Sequence, residues 1–481
     1  MKKRYILFAV IINIIGIGVI PLNSYIFFIP EYVTIIISLL ILIVVTLLCI
    51  RSKGKKILKF IVTSITLVNI LAMLFLSYCN PYWNSMKNKW YLDTKRYDYE
   101  LSYDEEKEDI DYVMHYLKKD HPLFIEELPD EVNASYDSAI KDLKDADKID
   151  VILLNRKIQS ILTILGDAHT CSYPFYEEVH YLKDKKYREE NGEILIKVNG
   201  IELSELFKEK SDLYSYEVES WGMVQLEQDL STLQGLYLLG INLDNGVTYT
   251  YVDKNNEEHN KIYNIDDFVT WDEYEKDKNS FVYYSIHKEN NIATLTLKEC
   301  NFNDEYTSCL KNMFTEVKEF GIDNVAVDIR DNAGGNSYVV NEFLKYINID
   351  MYNTGSNIMR RGIFKFNSGD GVEENMKYAN LLFNGQIYLL TSSKSFSSAM
   401  IFAEYIKDNN LGIIIGEAPG NTPTGYGDVA TFMLPNSKLY VQISTKEFFR
   451  ADKNSTDILV TPDVGCKNES SMDVLYSIIN N

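Results

Sequence analysis

Three long apolar runs open the chain. Residues 5–22, 32–50 and 57–78 are almost wholly hydrophobic, and each is about long enough as a helix to cross the hydrocarbon core of a bilayer. No small-residue cleavage site of the signal-peptide kind separates them. The pattern predicts a membrane domain at 1–79 with three transmembrane helices, in preference to buried helices of a soluble domain.

Basic residues flank alternate ends of these apolar runs. They are Lys2, Lys3 and Arg4 before the first run, and Arg51, Lys53, Lys55 and Lys56 between the second and third. The loop between the first two runs carries Glu31 as its charged residue. Because basic loops stay cytoplasmic, we expect both clusters inside the cell and everything after residue 78 outside. The lipid bilayer is therefore an expected partner, and the cell membrane the expected location.

The remainder of the chain alternates helical and strand patterns. After a mixed juxtamembrane linker at 80–103, a helical region at 104–180 has patterns at 105–119, 129–144 and 150–165, with Asp150 as N-cap of the last. A middle region at 181–276 contains strand-like pieces and is expected to be β-rich. From 277 to 481, short apolar strands alternate with helical patterns, which predicts an α/β core with helices packed on a sheet.

Composition narrows the possible functions. The chain has 481 residues, of which 46% are hydrophobic, so it can bury a sizeable core. Its formal net charge of −21 argues against a nucleic-acid surface, because basic side chains are needed to neutralise phosphates. Six cysteines occur without a CxxC pair, which excludes a zinc ribbon and a thioredoxin-like motif. We expect no nucleic-acid partner, no metal and no cofactor.

Three junctions rich in glycine or hydroxyl residues carry the candidate chemistry. They read GDAHT around His169, DIRDNAGGN with Gly334 and Gly335, and SKSFSSAM at the start of a helical pattern. A serine hydrolase needs a nucleophile, a base, an acid that orients the base, and N–H donors for an oxyanion. Each junction also has a purely structural interpretation, as N-cap serines, a tight glycine turn or a helix-end histidine. Their occurrence together favours acyl transfer.

The same junctions, in this order, resemble motifs of the C-terminal processing (tail-specific) serine peptidases and their tricorn-core-like relatives. GDAHT is similar to the family's GDGHT-type histidine motif, VAVDIRDNAGGN to its DLRGNxGG motif, and SKSFSSAMIFAEYIKDNNLGIIIGE to its nucleophile helix ending in GE. The resemblance covers residues 105–464. It implies an α+β peptidase whose layered β/α catalytic core is of the ClpP/crotonase-like kind, here following the three predicted transmembrane helices.

By this resemblance Ser397 is the nucleophile, and the backbone N–H groups of Ser398 and of Gly334 or Gly335 form the oxyanion hole. One branch of the family uses a lysine in the loop after GE, but residues 408–437 contain no lysine or arginine. The histidine-dependent branch remains, and in it His169 is the general base that takes the proton from Ser397.

The acid that orients His169 has to be chosen among several residues. The tricorn-like site has a glutamate near its closing PD motif, whereas residues 452–462 of this chain contain no glutamate. We assign the role to Asp457, with Asp452, Glu447 and Asp167 as further candidates.

Together these residues predict a membrane-anchored serine endopeptidase with an extracellular catalytic domain. It would hydrolyse peptides or proteins through an acyl-enzyme on Ser397, with His169 as base. The alternative is a non-catalytic peptide-binding, ligand-binding or signalling module on a degenerate peptidase fold, because a fold by itself does not fix function.

Overall fold

The computed structural model of the chain describes residues 4–25, 31–86, 99–125, 129–145, 149–174, 178–275, 280–368 and 371–480. Part of the predicted juxtamembrane linker, at 87–98, lies outside these residues. The described helices are α1 (Arg4–Tyr25), α2 (Glu31–Arg51), α3 (Lys56–Tyr78), α4 (Tyr103–Asp120), α5 (Asp130–Asp145), α6 (Val151–Leu162), α7 (Lys185–Asn191), α8 (Leu203–Lys210), α9 (Glu219–Leu230), α10 (Leu233–Leu239), α11 (Trp271–Tyr274), α12 (Asp304–Phe320), α13 (Tyr338–Leu344), α14 (Ser398–Asp408) and α15 (Ser471–Ile479).

The strands fall into one six-stranded sheet, one five-stranded sheet, one four-stranded sheet and three isolated pairs in the described part of the chain. They are β1 (Glu100–Leu101), β2 (Ile149–Asp150), β3 (Cys171–Tyr173), β4 (His180–Leu182), β5 (Ile194–Val198), β6 (Ile201–Glu202), β7 (Val247–Val252), β8 (Glu258–Tyr263), β9 (Phe268–Thr270), β10 (Val282–His287), β11 (Ile292–Leu297), β12 (Asn324–Asp328), β13 (Met351–Asn353), β14 (Ser356–Arg361), β15 (Phe364–Ser368), β16 (Val372–Glu374), β17 (Gln386–Thr391), β18 (Ile413–Gly416), β19 (Gly425–Met433), β20 (Tyr440–Phe449) and β21 (Val464–Gly465).

The first three helices pack against one another. Asn13 of α1 donates to the Thr66 hydroxyl at 2.9 Å and accepts from the Asn69 side chain at 3.0 Å, so polar groups inside this apolar bundle satisfy each other. Among the described residues, the stretch Lys56–Phe75 is long and apolar enough to cross a membrane, whereas the apolar stretches Arg4–Ile15 and Ile36–Arg51 are shorter. The count of three transmembrane helices stays a prediction.

The helical region after the linker covers the five-stranded sheet. The three helices predicted there are observed as α4, α5 and α6, and Asp150 caps α6 by accepting from the Leu153 N–H at 2.7 Å. Their apolar faces pack on β19 and β20, where Tyr116 and Phe432 have ring centroids 4.1 Å apart. The C-terminal part of the chain therefore contributes strands to two sheets. Its β19–β20 hairpin shares an apolar core with α4, α5 and α6.

The middle region is less β-rich than the sequence indicated. Its four-stranded sheet has the order β6-β5-β7-β8, and helices α8, α9 and α10 pack on it around a separate apolar core. In α10 the buried residues Gly235, Leu236 and Leu239 lie on one side of the helix, whereas α9 buries residues on opposite sides, among them Trp221 and Leu230. α9 brings this region to the catalytic part of the chain, because its Trp221 contacts the loop before α14.

The six-stranded sheet has the order β10-β11-β12-β17-β18-β21 and is parallel from β11 onward. Its central strands are buried apolar runs, as expected for a parallel sheet covered on both faces. One face packs on α12, α13 and α14, and the other on α15. Because β12 and β17 are adjacent and parallel, the loops that follow them emerge at the same edge of the sheet. These loops carry Gly334-Gly335 and Ser397.

Candidate active site

Ser397 lies at the turn between β17 and α14 in a strained conformation. Its backbone has φ of 56° and ψ of −119°, directly before the first helical residue. A non-glycine residue with positive φ is strained by about 1–3 kcal/mol and persists where its surroundings impose it. Here the Ser397 N–H donates to the Asn421 side-chain oxygen at 2.7 Å, and Asn421 is buried in the loop after β18. The turn therefore holds this serine away from the packed core.

Three other serines of the turn use their hydroxyl groups in structural hydrogen bonds. Ser395 donates its hydroxyl to the Ile329 carbonyl at 2.8 Å, Ser398 to the Gly335 carbonyl at 2.9 Å, and Ser392 to the Arg330 carbonyl. Each of these bonds ties the turn to the loop after β12. Within the described residues the Ser397 hydroxyl makes no hydrogen bond, which leaves it available for chemistry.

The glycine pair approaches the same serine from the neighbouring strand. Gly334 has φ of 101° and Gly335 φ of 134°, and a Cβ added at Gly334 would lie 2.7 Å from the Ser397 Cβ. Close approach of the two loops thus requires glycine. The Gly334 N–H already donates to the Asn332 side chain at 2.8 Å. The N–H groups of Gly335 and Ser398 donate to no acceptor in the described part of the chain, so these two are available to an oxyanion.

His169 follows a left-handed glycine, Gly166, at the end of the α6 segment. Its ring lies against Phe396, with centroids 4.6 Å apart, and 13% of its side chain is exposed. A Cβ added at Gly427 of β19 would lie 3.7 Å from the His169 ring, which is van der Waals contact, so β19 forms one wall beside the imidazole. Burial lowers the pKa of His169, with Asp167 and the Tyr426 backbone opposing. The imidazole is therefore neutral near pH 7, as a general base requires.

Asp167 is fully buried beside His169 and is held by three donors. Its carboxylate accepts from the backbone N–H of His169 at 2.8 Å, from the Thr170 hydroxyl at 2.5 Å and from His121 Nε2 at 3.1 Å. The Leu123 N–H donates to His121 Nδ1, which leaves Nε2 to donate to the carboxylate. Burial would raise the pKa of Asp167, but the hydrogen bonds from His121 and Thr170 outweigh it and hold that pKa far below its usual range. Asp167 is thus ionised, and its Oδ1 lies 3.8 Å from His169 Nδ1.

Glu217, just before α9, is a further acid at this site. Its Oε2 accepts from the Thr422 N–H at 2.8 Å and from the Thr422 hydroxyl at 2.6 Å. Burial raises the pKa of Glu217 to about 7. Sequence reasoning did not select this residue, because no local pattern marks it and its partner lies 205 positions away.

The same residues form a group that could hold a metal ion. Ligand atoms of Asp167, His169 and Glu217 all lie within 4.8 Å of one another. However, both oxygens of Asp167 already accept hydrogen bonds from the protein. The arrangement is better suited to a histidine base flanked by the ionised Asp167 and by Glu217, whose pKa is about 7.

Asp457, the acid assigned from the sequence, is not brought to His169. Its side chain is exposed, and its carbonyl accepts from Arg450 at 2.8 Å. Arg450 in turn pairs with Asp408 at 2.7 Å, at the C-terminal end of α14. Ser397 precedes the other end of this 11-residue helix, about 16 Å away at 1.5 Å per residue. The acid beside the imidazole is instead Asp167.

Asp452 makes its hydrogen bond away from the imidazole, and Glu447 makes none to it in the described structure. The Asp452 carboxylate accepts from the Asn454 N–H at 2.9 Å, within its own turn. Glu447 lies on β20 opposite Tyr426, whose pKa is raised by burial and further by the charge of Glu447. Neither of them is grouped with His169 in the described structure.

Comparison with known proteins identifies similarity in family and in fold. The family model for peptidase family S41 matches residues 291–466. Mature CPAF complexed with lactacystin superposes with a TM-score of 0.58 at 12% identity, covering 79% of this chain and 97% of that chain. Mature CPAF gives 0.56 at 12% identity, covering 79% and 96%. The photosystem II D1 C-terminal processing protease gives 0.47 at 13% identity, covering 78% and 97%.

At these identities the structural likeness concerns the fold, which is an α/β fold of the S41 peptidase kind. No curated protein matches the chain. The family match includes the glycine pair and the turn with Ser397, and it confirms the family that the three motifs predicted. The chain is a serine-type peptidase, and its segment 291–466 belongs to peptidase family S41.

Proposed function

We propose that the chain is a membrane-anchored endopeptidase that cleaves peptides or proteins with Ser397 as nucleophile and His169 as general base. The observation that carries the proposal is the turn at Ser397. Its hydroxyl has no hydrogen-bond partner among the described residues, its backbone is strained, and Gly334 approaches it closely from the adjacent parallel strand.

In the proposed reaction, His169 takes the proton of the Ser397 hydroxyl as the oxygen attacks the substrate carbonyl. The developing oxyanion accepts hydrogen bonds from the N–H groups of Ser398 and Gly335, and the first turn of α14 adds a favourable dipole. His169 then gives its proton to the leaving amine. Water attacks the resulting ester by the same route in reverse, which releases the acid and restores the serine.

Asp167 replaces Asp457 as the acid of this proposal. Because its carboxylate is ionised and 3.8 Å from His169 Nδ1, it stabilises the positive charge that His169 gains when it takes the proton. The His121 hydrogen bond at 3.1 Å fixes this carboxylate in place. His121 is thus a positioning residue for Asp167.

Membrane anchoring and an extracellular peptidase domain are part of the same proposal. Support comes from the apolar stretch Lys56–Phe75 and from the two further apolar helices packed on it. The basic residues between α2 and α3 favour a cytoplasmic position for that loop. Because α3 then leads outward, the peptidase domain would face the cell exterior.

A fluorophosphonate probe tests the catalytic part, because it labels serines activated for acyl transfer. We expect labelling of the wild type, none of Ser397→Ala, and unchanged labelling of Ser393→Ala, a matched serine four residues earlier. His169→Ala should lose turnover of a peptide library by orders of magnitude. Persistent labelling of Ser397→Ala would remove the nucleophile assignment. A folded wild type that neither labels nor cleaves would favour the non-catalytic binding module.

A further inference from the structure

The turn between β14 and β15 carries the most exposed large apolar side chain among the described residues. Ile363 is 81% exposed, in a two-residue turn with Gly362. Phe364 and Phe366 follow on β15, both exposed and both on one side of the strand, since side chains alternate along it. Isolated exposed apolar residues are common, but three at one hairpin tip form a patch that calls for a partner.

This hairpin is fixed against the end of α3. The rings of Phe364 and Phe75 meet edge to face with centroids 6.1 Å apart. At the turn, a Cβ added to Gly362 would lie 3.1 Å from the Cys79 sulfur, so the backbone of the turn lies directly on the residue that ends α3. The exposed apolar side chains of α3, among them Leu71 and Phe75, therefore continue onto the hairpin.

The position of this contact along α3 defines its depth relative to a bilayer. The stretch Lys56–Phe75 has 20 residues, which at 1.5 Å per residue span about 30 Å, the thickness of the hydrocarbon core. Phe75 then lies at the outer boundary of that core. Because Phe364 touches Phe75, the hairpin lies at the same level, where aromatic side chains are enriched in membrane proteins. Tyr78 and Trp83, which pack together just beyond Phe75, add to this aromatic boundary.

The hairpin is also the edge of its sheet. β15 is the terminal strand of the order β15-β14-β20-β19, so in the described structure one row of its backbone groups has no neighbouring strand. An apolar, exposed edge strand invites association unless something covers it.

We propose that the β14–β15 hairpin inserts its tip, Ile363, Phe364 and Phe366, into the headgroup region of the outer leaflet beside α3. The hairpin is a second membrane contact that holds the peptidase domain against the bilayer. This inference rests on the membrane anchoring proposed above.

Tryptophan fluorescence of the full chain in vesicles with brominated lipids tests the inference. The variants are Ile363→Trp, its matched control Ile458→Trp at a 78% exposed isoleucine, and Phe60→Trp on α3, 73% exposed. Emission is compared with that of the wild type, whose four tryptophans are common to all variants. We expect the added emission at 363 and at 60 to be quenched by brominated lipids, and that at 458 by aqueous acrylamide.

Each other outcome has a separate meaning. Lipid quenching at 60 with acrylamide quenching at 363 would overturn the hairpin inference and leave the membrane anchor intact. Acrylamide quenching at both positions would overturn the membrane anchor itself. Protection of 363 from both quenchers would assign the hairpin to a second protein chain, which also overturns the lipid assignment.

Discussion

Replacing Gly334 by alanine tests how closely the glycine loop supports the nucleophile. The added Cβ would lie 2.7 Å from both the Phe396 carbonyl oxygen and the Ser397 Cβ, and 3.0 Å from the Ser398 nitrogen. Ordinary contacts begin at 3.4 Å, so the two loops must separate by about 0.7 Å, the difference between 3.4 and 2.7 Å. Since a misplacement of 1 Å costs about 10²-fold in rate, we expect turnover to fall roughly ten- to a hundred-fold.

The matched control is Gly321→Ala. Gly321 also has positive φ, at 65°, but an added Cβ there meets no atom within 4 Å. Both variants pay the strain of an alanine with positive φ, about 1–3 kcal/mol, and should unfold at lower temperature than the wild type. Only Gly334→Ala should acylate slowly with a fluorophosphonate probe, measured as a second-order rate on folded protein. The proposed contact would be refuted if folded Gly334→Ala were acylated at the wild-type rate, or if the acylation rate fell equally in both variants.

Three further predictions concern buried carboxyl groups. Asp167→Asn keeps the shape but removes the charge beside His169, so kcat/KM should fall by up to about 10⁴-fold, whereas Asp457→Asn should match the wild type. Glu217 gains its charge as pH rises through about 7. The pH profile of kcat/KM should therefore lose an inflection near pH 7 in Glu217→Gln, and an unchanged profile would contradict this role. Burial raises the pKa of Glu404 to about 8, so the native state holds an extra proton between pH 4.5 and about 8 and loses stability as pH rises through that range. The unfolding temperature of Glu404→Gln relative to that of the wild type should therefore rise from pH 5 to pH 8. A difference that stays constant over this range would contradict the prediction.

The parts of the site that could be predicted from the sequence are those written in local patterns. The strand-to-helix turn at Ser397, the paired glycines and the loop histidine each stand within a few residues of the signal that marks them. The parallel order of β12 and β17 follows from alternating strands and helices, and it brings two of these loops to one edge. Local chemistry and chain order were sufficient for these features.

The acids around His169 depend on contacts between distant parts of the chain. Glu217 reaches the site because α9 packs on the loop before α14, and its hydrogen bonds to Thr422 close a separation of 205 positions. His121 meets Asp167 across 46 positions, through the packing of α4 against α6. Asp457 is kept from His169 by contacts of the same long-range kind, because Arg450 and Asp408 hold its segment at the C-terminal end of α14. No pattern along the sequence encodes such packing.

The aromatic stack at Phe396 limits which parts of this enzyme can be removed or exchanged. Phe396 lies between Trp221 of α9, with centroids 4.0 Å apart and planes 7° from parallel, and the ring of His169. Three separate stretches of chain thus meet at the residue that precedes the nucleophile. A truncated chain of residues 277–481 would retain the six-stranded sheet and Ser397 but would lose both neighbours of that ring. The peptidase is therefore not modular, and exchanging its middle region for that of a relative would have to preserve Trp221 and its packing to keep the serine in place.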